Sequence, residues 1–184
     1  MSNSHPTLTA AVTPELLMQW TGHADRDRLS QQARAALWTA SRSDWLMGDI
    51  AAHAAYLGLQ SLDWLATEGQ APSRTTEHQD SGGYWWFVWV LYRPEIQAGI
   101  EGLNAVLRLA HEQPGRFGAE AADVEAAHAW DAARGATEFD LPDPGGDGDS
   151  PAYVLCTLLA LRRLLDIALA DGLPVVHMRI SFRA

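Results

Sequence analysis

The chain has 184 residues, with 13 basic and 23 acidic side chains and a net charge of −10, so it is of one-domain size and repels nucleic acid and anionic membranes. Every basic residue is an arginine, and the absence of lysine excludes Schiff-base chemistry and lysine-dependent phosphate loops. The single cysteine, Cys156, excludes an intramolecular disulfide and points to a reducing, cytoplasmic setting.

Met1 to Val12 lacks the basic start and long apolar run of a signal peptide and reads as a flexible lead-in, with a single helical domain over 13–184. Thr13-Pro14-Glu15 is a helix start: a capping hydroxyl, a proline in the first turn and a carboxylate at the positive end. The first helix runs through Leu16, Leu17 and Trp20 and ends near Gly22. A second is predicted from Asp25 to Ala40, with Leu29, Ala33, Ala36, Leu37 and Ala40 on one side. Ser43-Asp44 opens a third, through Leu46, Ile50, Ala54, Leu57 and Trp64 to Gly69.

Gln70 to Gly83 is polar, carries Pro72 and a Gly-Gly pair, and reads as a loop. Tyr84 to Tyr92 follows without a single charge. Its aromatic and β-branched content favours a buried strand, with a helix as the alternative because a short apolar run does not fix its own period. As a strand, it puts Trp85, Phe87 and Trp89 on one face and Tyr84, Trp86, Val88 and Val90 on the other. Both faces must then be covered, with Trp85, Trp86 and Trp89 serving as core or as aromatic anchors for a partner.

Pro94 begins a helix whose Ile96, Ile100, Leu103, Leu107 and Ala110 oppose Gln97, Glu101, Asn104, Arg108 and His111. An alanine-rich helix from Ala119 to Arg134 carries Ala122, Ala126, Ala129 and Ala133 as a small-residue face for close helix approach. Thr137 to Asp149 is irregular and acidic. Ser150-Pro151 starts the most apolar helix, the expected centre of the fold, which Gly172 and Pro174 terminate. Finally Val176, Met178, Ile180 and Phe182 alternate with His177, Arg179, Ser181 and Arg183, a half-buried strand. Its polar side reads as edge-strand charge, with an anion grip as the alternative. The fold class expected is therefore mainly α: a bundle of about six helices, with a small two-stranded element pairing 84–91 with 175–182.

Two carboxylate–histidine pairs fall on helical faces, Asp49 with His53 and Glu125 with His128. Brought together they would ligate a metal or divide acid and base roles. A helical di-metal centre wants two Glu-x-x-His pairs and only one is present, so no metal site is assigned. The Asp143–Asp149 stretch lacks the spacing and later bidentate Glu of a calcium loop. It reads instead as a docking surface for a basic partner, formed by Asp143, Asp147 and Asp149 with Glu138 and Asp140. Cys156 sits in the most apolar helix, where a thiol is inert. No nucleophile elbow and no dinucleotide fingerprint occurs, so no cofactor is expected.

In size, acidity and want of a catalytic motif the chain resembles bacterial toxin-neutralising immunity proteins as a class, and no residue carries across. The expected function is an acidic cytoplasmic module that masks a basic partner enzyme. The alternative is a small helical enzyme or metal-binding domain using Asp49, His53, Glu125 and His128. The longest apolar runs stop at Arg93 and at Arg162, short of the roughly 20 residues a membrane span needs. A homo-oligomer is left open.

Overall fold

In a computed structural model, residues 7–20, 25–39, 60–65, 75–79, 85–135, 137–142 and 150–181 are described. Along the chain run β1 (Thr7–Ala11), α1 (Pro14–Gln19), α2 (Arg26–Gln32), β2 (Ala35–Thr39), a 3₁₀ turn (Gln60–Leu65), β3 (Thr75–Gln79) and β4 (Trp85–Leu91). There follow α3 (Arg93–Glu112), a second 3₁₀ turn (Pro114–Phe117), α4 (Ala121–Ala132), α5 (Pro151–Asp171) and β5 (Val175–Ser181). The strands form one five-stranded antiparallel sheet in the order β2-β1-β5-β4-β3.

This overturns the expected helical bundle with a two-stranded element: the protein is α+β, not all-α. Residues 84–91 and 175–182 were expected to pair, and β4 and β5 do so, but as two inner strands of the larger sheet. Three short strands account for the difference. Thr7–Ala11, expected to be part of a flexible lead-in, is a strand buried along its whole length between β2 and β5. The expected helix over 25–40 stops at Gln32, because Ala33 turns extended (ψ 151°) and Arg34 donates its N–H to Ala11 O at 2.9 Å. Ala35–Thr39 then pairs with β1. Within the expected loop, Thr75–Gln79 pairs with β4. Each of these strands is stabilised by a ladder to a segment distant in sequence, a contribution that local periodicity cannot register.

β5 is the third of the five strands, so its Arg179 and His177 are not edge charges. Its two neighbours hold it in register: Met178 faces Leu8 on β1 and Val88 on β4, while His177 faces Thr9 and Trp89. Residues directly opposite share a face. On one face Leu8, Ala10, Val88, Val176 and Met178 pack with Leu16 of α1 and Leu29 of α2. On the other, Ala11, Leu37, Trp89, Leu91 and Val175 join the larger core under α3, α4 and α5. Within the aromatic segment Val88 is thus covered on one side and Trp89 and Leu91 on the other. The Leu155–Leu161 stretch of α5 lies buried all round, as its composition requires.

The helix ends follow local chemistry. Thr13 Oγ1 accepts the Leu16 N–H at 3.2 Å and Pro14 occupies the first turn of α1. Ser150 Oγ accepts the Tyr153 N–H at 3.3 Å at the head of α5. At its tail Gly172 is left-handed (φ +69°) and Leu173 N–H returns to Ala168 O at 2.8 Å. The small-residue face expected on α4 is turned outward: Ala122, Ala126, Ala129 and Ala133 are exposed, and Val124 and Ala127 face the core.

Candidate functional site

The tail of α5, the head of α3 and the whole of α1 converge at one end of the sheet and leave a groove of about 500 Å³. Its floor is Ile96, Ala168 and Pro174, all buried. Half-buried Leu17, Leu169 and Leu173 form the walls, and Met18, Tyr92, Arg93 and Pro94 stand exposed at the mouth. Capping explains why the elements stop here. Pro14 and Pro94 start α1 and α3, and Gly172 and Pro174 end α5, so three chain reversals meet around the groove. Among the described residues two large hydrophobic side chains are exposed, Met18 at 79% and Tyr92 at 46%, and both line this groove.

Arg93 is the charged residue of the lining among the described residues. The carboxylates next to the groove in sequence are mostly engaged. Glu95 accepts the Tyr92 N–H at 3.1 Å, and Asp171 pairs with Arg34 at 2.9 Å.

A second polar group lies inside the fold. His177 Nδ1 and Thr9 Oγ1 share a hydrogen bond of 2.8 Å, with both residues buried. The imidazole meets Trp64 edge-on at 5.0 Å and Trp89 at 5.6 Å, and the Arg179 guanidinium lies 5.3 Å from the Trp89 ring. Burial, reinforced by the nearby Arg179 charge, lowers the His177 pKa from 6.5 to about 3. The imidazole is thus held neutral and packed within the sheet. Sequence alternation placed His177 and Arg179 together on one face but gave no sign that this face is interior.

Of the candidate residues, Asp49, His53, Asp143, Asp147 and Asp149 lie outside the described residues. Glu125 and His128 are exposed on α4, where His128 meets His111 of α3 at 6.3 Å between ring centroids. Among the described residues no group of three or more His, Cys, Asp or Glu is placed to hold a metal ion. Trp85 and Trp86 are on β4, paired in register with Ser181 and Ile180, and Trp89 is core. Glu138 and Asp140 are exposed, but their chain is held in place. Glu138 Oε2 accepts the Gly135 N–H at 3.3 Å, and Arg134 donates to Asp140 O at 3.2 Å while lying 4.2 Å over Trp130. Arg163 fastens the same corner to α5, pairing with Asp131 at 3.1 Å and donating to Gly135 O at 3.0 Å. Cys156 is buried, and burial pushes its thiol up to about 11.

The groove was not read from sequence. Nothing in the sequence marks Met18, and Tyr92 belongs to the aromatic segment expected to be covered; their exposure follows from where the elements end. No described helix is long and apolar enough to cross a membrane. Comparison with protein-family models, with curated proteins and with solved structures gives no match.

Proposed function

We propose that this chain is an acidic protein-binding module of the immunity or antitoxin kind, which docks a basic partner by seating one of its apolar side chains in the α1–α3–α5 groove. The observation that carries this reading is the convergence of exposed Met18 and Tyr92 on one concave apolar surface. Tyr, Met and Arg are enriched in interface cores, and energetic hot spots sit in pockets that a partner side chain can fill. The net charge of −10 supplies the long-range attraction to a basic partner and raises the association rate. Glu138 and Asp140, on their braced corner, contribute to that field, as do the acidic residues that follow them.

The test is capture from native-host extract with wild type and with Met18→Glu. Met18 is so exposed that the substitution leaves the fold intact, which a thermal melt checks. A partner retained by wild type and lost with Met18→Glu supports the reading. A partner retained equally by both removes the groove from it. The enzyme reading built on Asp49, His53, Glu125 and His128 gains no observation from the structure, and its measure is metal content lost on His53→Ala.

A further inference from the structure

We infer that His111 and His128 form a two-histidine site for a divalent transition-metal ion of the zinc class, on the outer seam between α3 and α4 and independent of the groove. Sequence spacing pairs His128 with Glu125 along one helix, and the fold sets it against a histidine of the neighbouring helix. The two rings lie 6.3 Å apart between centroids, with their planes at 84°. A zinc–nitrogen bond is about 2.0–2.1 Å, so two imidazoles sharing one ion have centroids roughly 5–6.5 Å apart. The observed separation falls within that span, and both residues are exposed, so the rings are free to turn towards the ion.

The backbones beneath the rings are fixed. Leu107, one turn before His111, and Val124, one turn before His128, are buried in the same core, as are Ala110 and Ala127. Between the helices the Pro114–Phe117 turn is tied down by Gln113 N–H to Leu109 O at 2.8 Å and Ala119 N–H to Pro114 O at 3.1 Å. Donors carried on packed helices keep their geometry better than donors on loops. Among the described residues neither imidazole makes a hydrogen bond or an ion pair, so the ring nitrogens are not committed elsewhere.

The class of ion follows from the donors and the charges around them. The exposed carboxylates of Glu112 and Glu125 are offset by the guanidiniums of Arg108 and, on the connecting turn, Arg116. Asp131, one turn after His128, is taken by Arg163 at 3.1 Å. Calcium and magnesium depend on carboxylate and carbonyl oxygens, whereas imidazole nitrogens suit zinc and its neighbours. Among the described residues no third His, Cys, Asp or Glu joins the pair, so water completes the coordination. A bound ion ties the last turn of α3 to α4.

The experiment is a zinc titration of the full, chelator-stripped chain, read by calorimetry and by the ring-nitrogen chemical shifts of each histidine, with magnesium as the control ion. The shifts of His111 and His128 are expected to move together and to saturate at one zinc for the pair. A second tethered donor strengthens binding by about 10²-fold, so His111→Ala and His128→Ala are each expected to weaken the site by that factor. The double variant is expected to add little, as for two residues acting as one unit. Both side chains are exposed, so the variants keep the fold, which a thermal melt checks; saturating zinc raises the melting temperature of wild type alone. His53→Ala is expected to leave the site unchanged, which separates it from a centre built on Asp49 and His53. No shift of either ring at millimolar zinc, movement of one ring without the other, or equal zinc affinity in wild type and either variant overturns the inference.

Discussion

At His177 the fold forces a neutral imidazole into the sheet, and this has a thermodynamic consequence. The folded pKa of about 3 lies below the ordinary 6.5, so between these values the unfolded chain binds one more proton than the native state. The stabilisation is complete above pH 6.5 and is lost as pH falls towards 3. Unfolding free energies from urea titrations across that window are expected to drop with a slope of about 1.4 kcal/mol per pH unit from this group. His177→Gln removes that component, and an unchanged slope in the variant contradicts the assignment. Cys156 offers a second residue-scale check. With its thiol raised to about 11 and buried, it is expected to resist alkylation at pH 8 until the chain unfolds. Labelling of native protein at the rate of a free thiol would disagree. Sequence anticipated the burial of the cysteine from the apolar run around it. The buried histidine escaped notice, because alternation tells which residues share a face and not which face is covered.

Elements were legible where their signals were local. α1, α3 and α5 carry caps, prolines in the first turn and, for α3 and α5, long apolar faces, and they stand where those signals put them. β4 was legible from its nine-residue uncharged aromatic stretch. β1, β2 and β3 were not. Ala36 and Leu37 continue the helical spacing of Leu29 and Ala33, and only the pairing of Ala11 with Ala35 through Thr7 with Thr39 makes the segment a strand. Thr75–Gln79 carries no large apolar residue, so its ladder to β4 is invisible in composition.

Element packing also sets the response to Gly102 in α3. A Cβ there would meet Ser61 Oγ and lie 3.0 Å from Leu62 Cγ. Alanine would gain about 1 kcal/mol of helix propensity, and the fully buried Leu62 opposes it because it has no room to move. Gly102→Ala is therefore expected to destabilise by about 1–2 kcal/mol net, read from chemical denaturation. Stabilisation would mean that the 3₁₀ turn yields easily. Gly172→Ala, at φ +69°, is expected to cost about 1 kcal/mol by losing the left-handed cap of α5.

Among the described residues the sheet packs apolar side chains on both faces, and an apolar groove lies where α1, α3 and α5 meet. The acidity was plain in the composition, whereas the groove was not, since it arises from the juxtaposition of Pro14, Tyr92 and Gly172, which are far apart in the chain. Under this account Tyr92 is an anchor, and its truncation removes contact area that a partner fills. Once a partner is in hand, the Kd for Tyr92→Ala against wild type is the most direct measurement. A weakening of about 30-fold or more is expected, the size of an interface hot spot, with an unaltered melting profile. A Kd within about twofold of wild type would contradict docking at this groove.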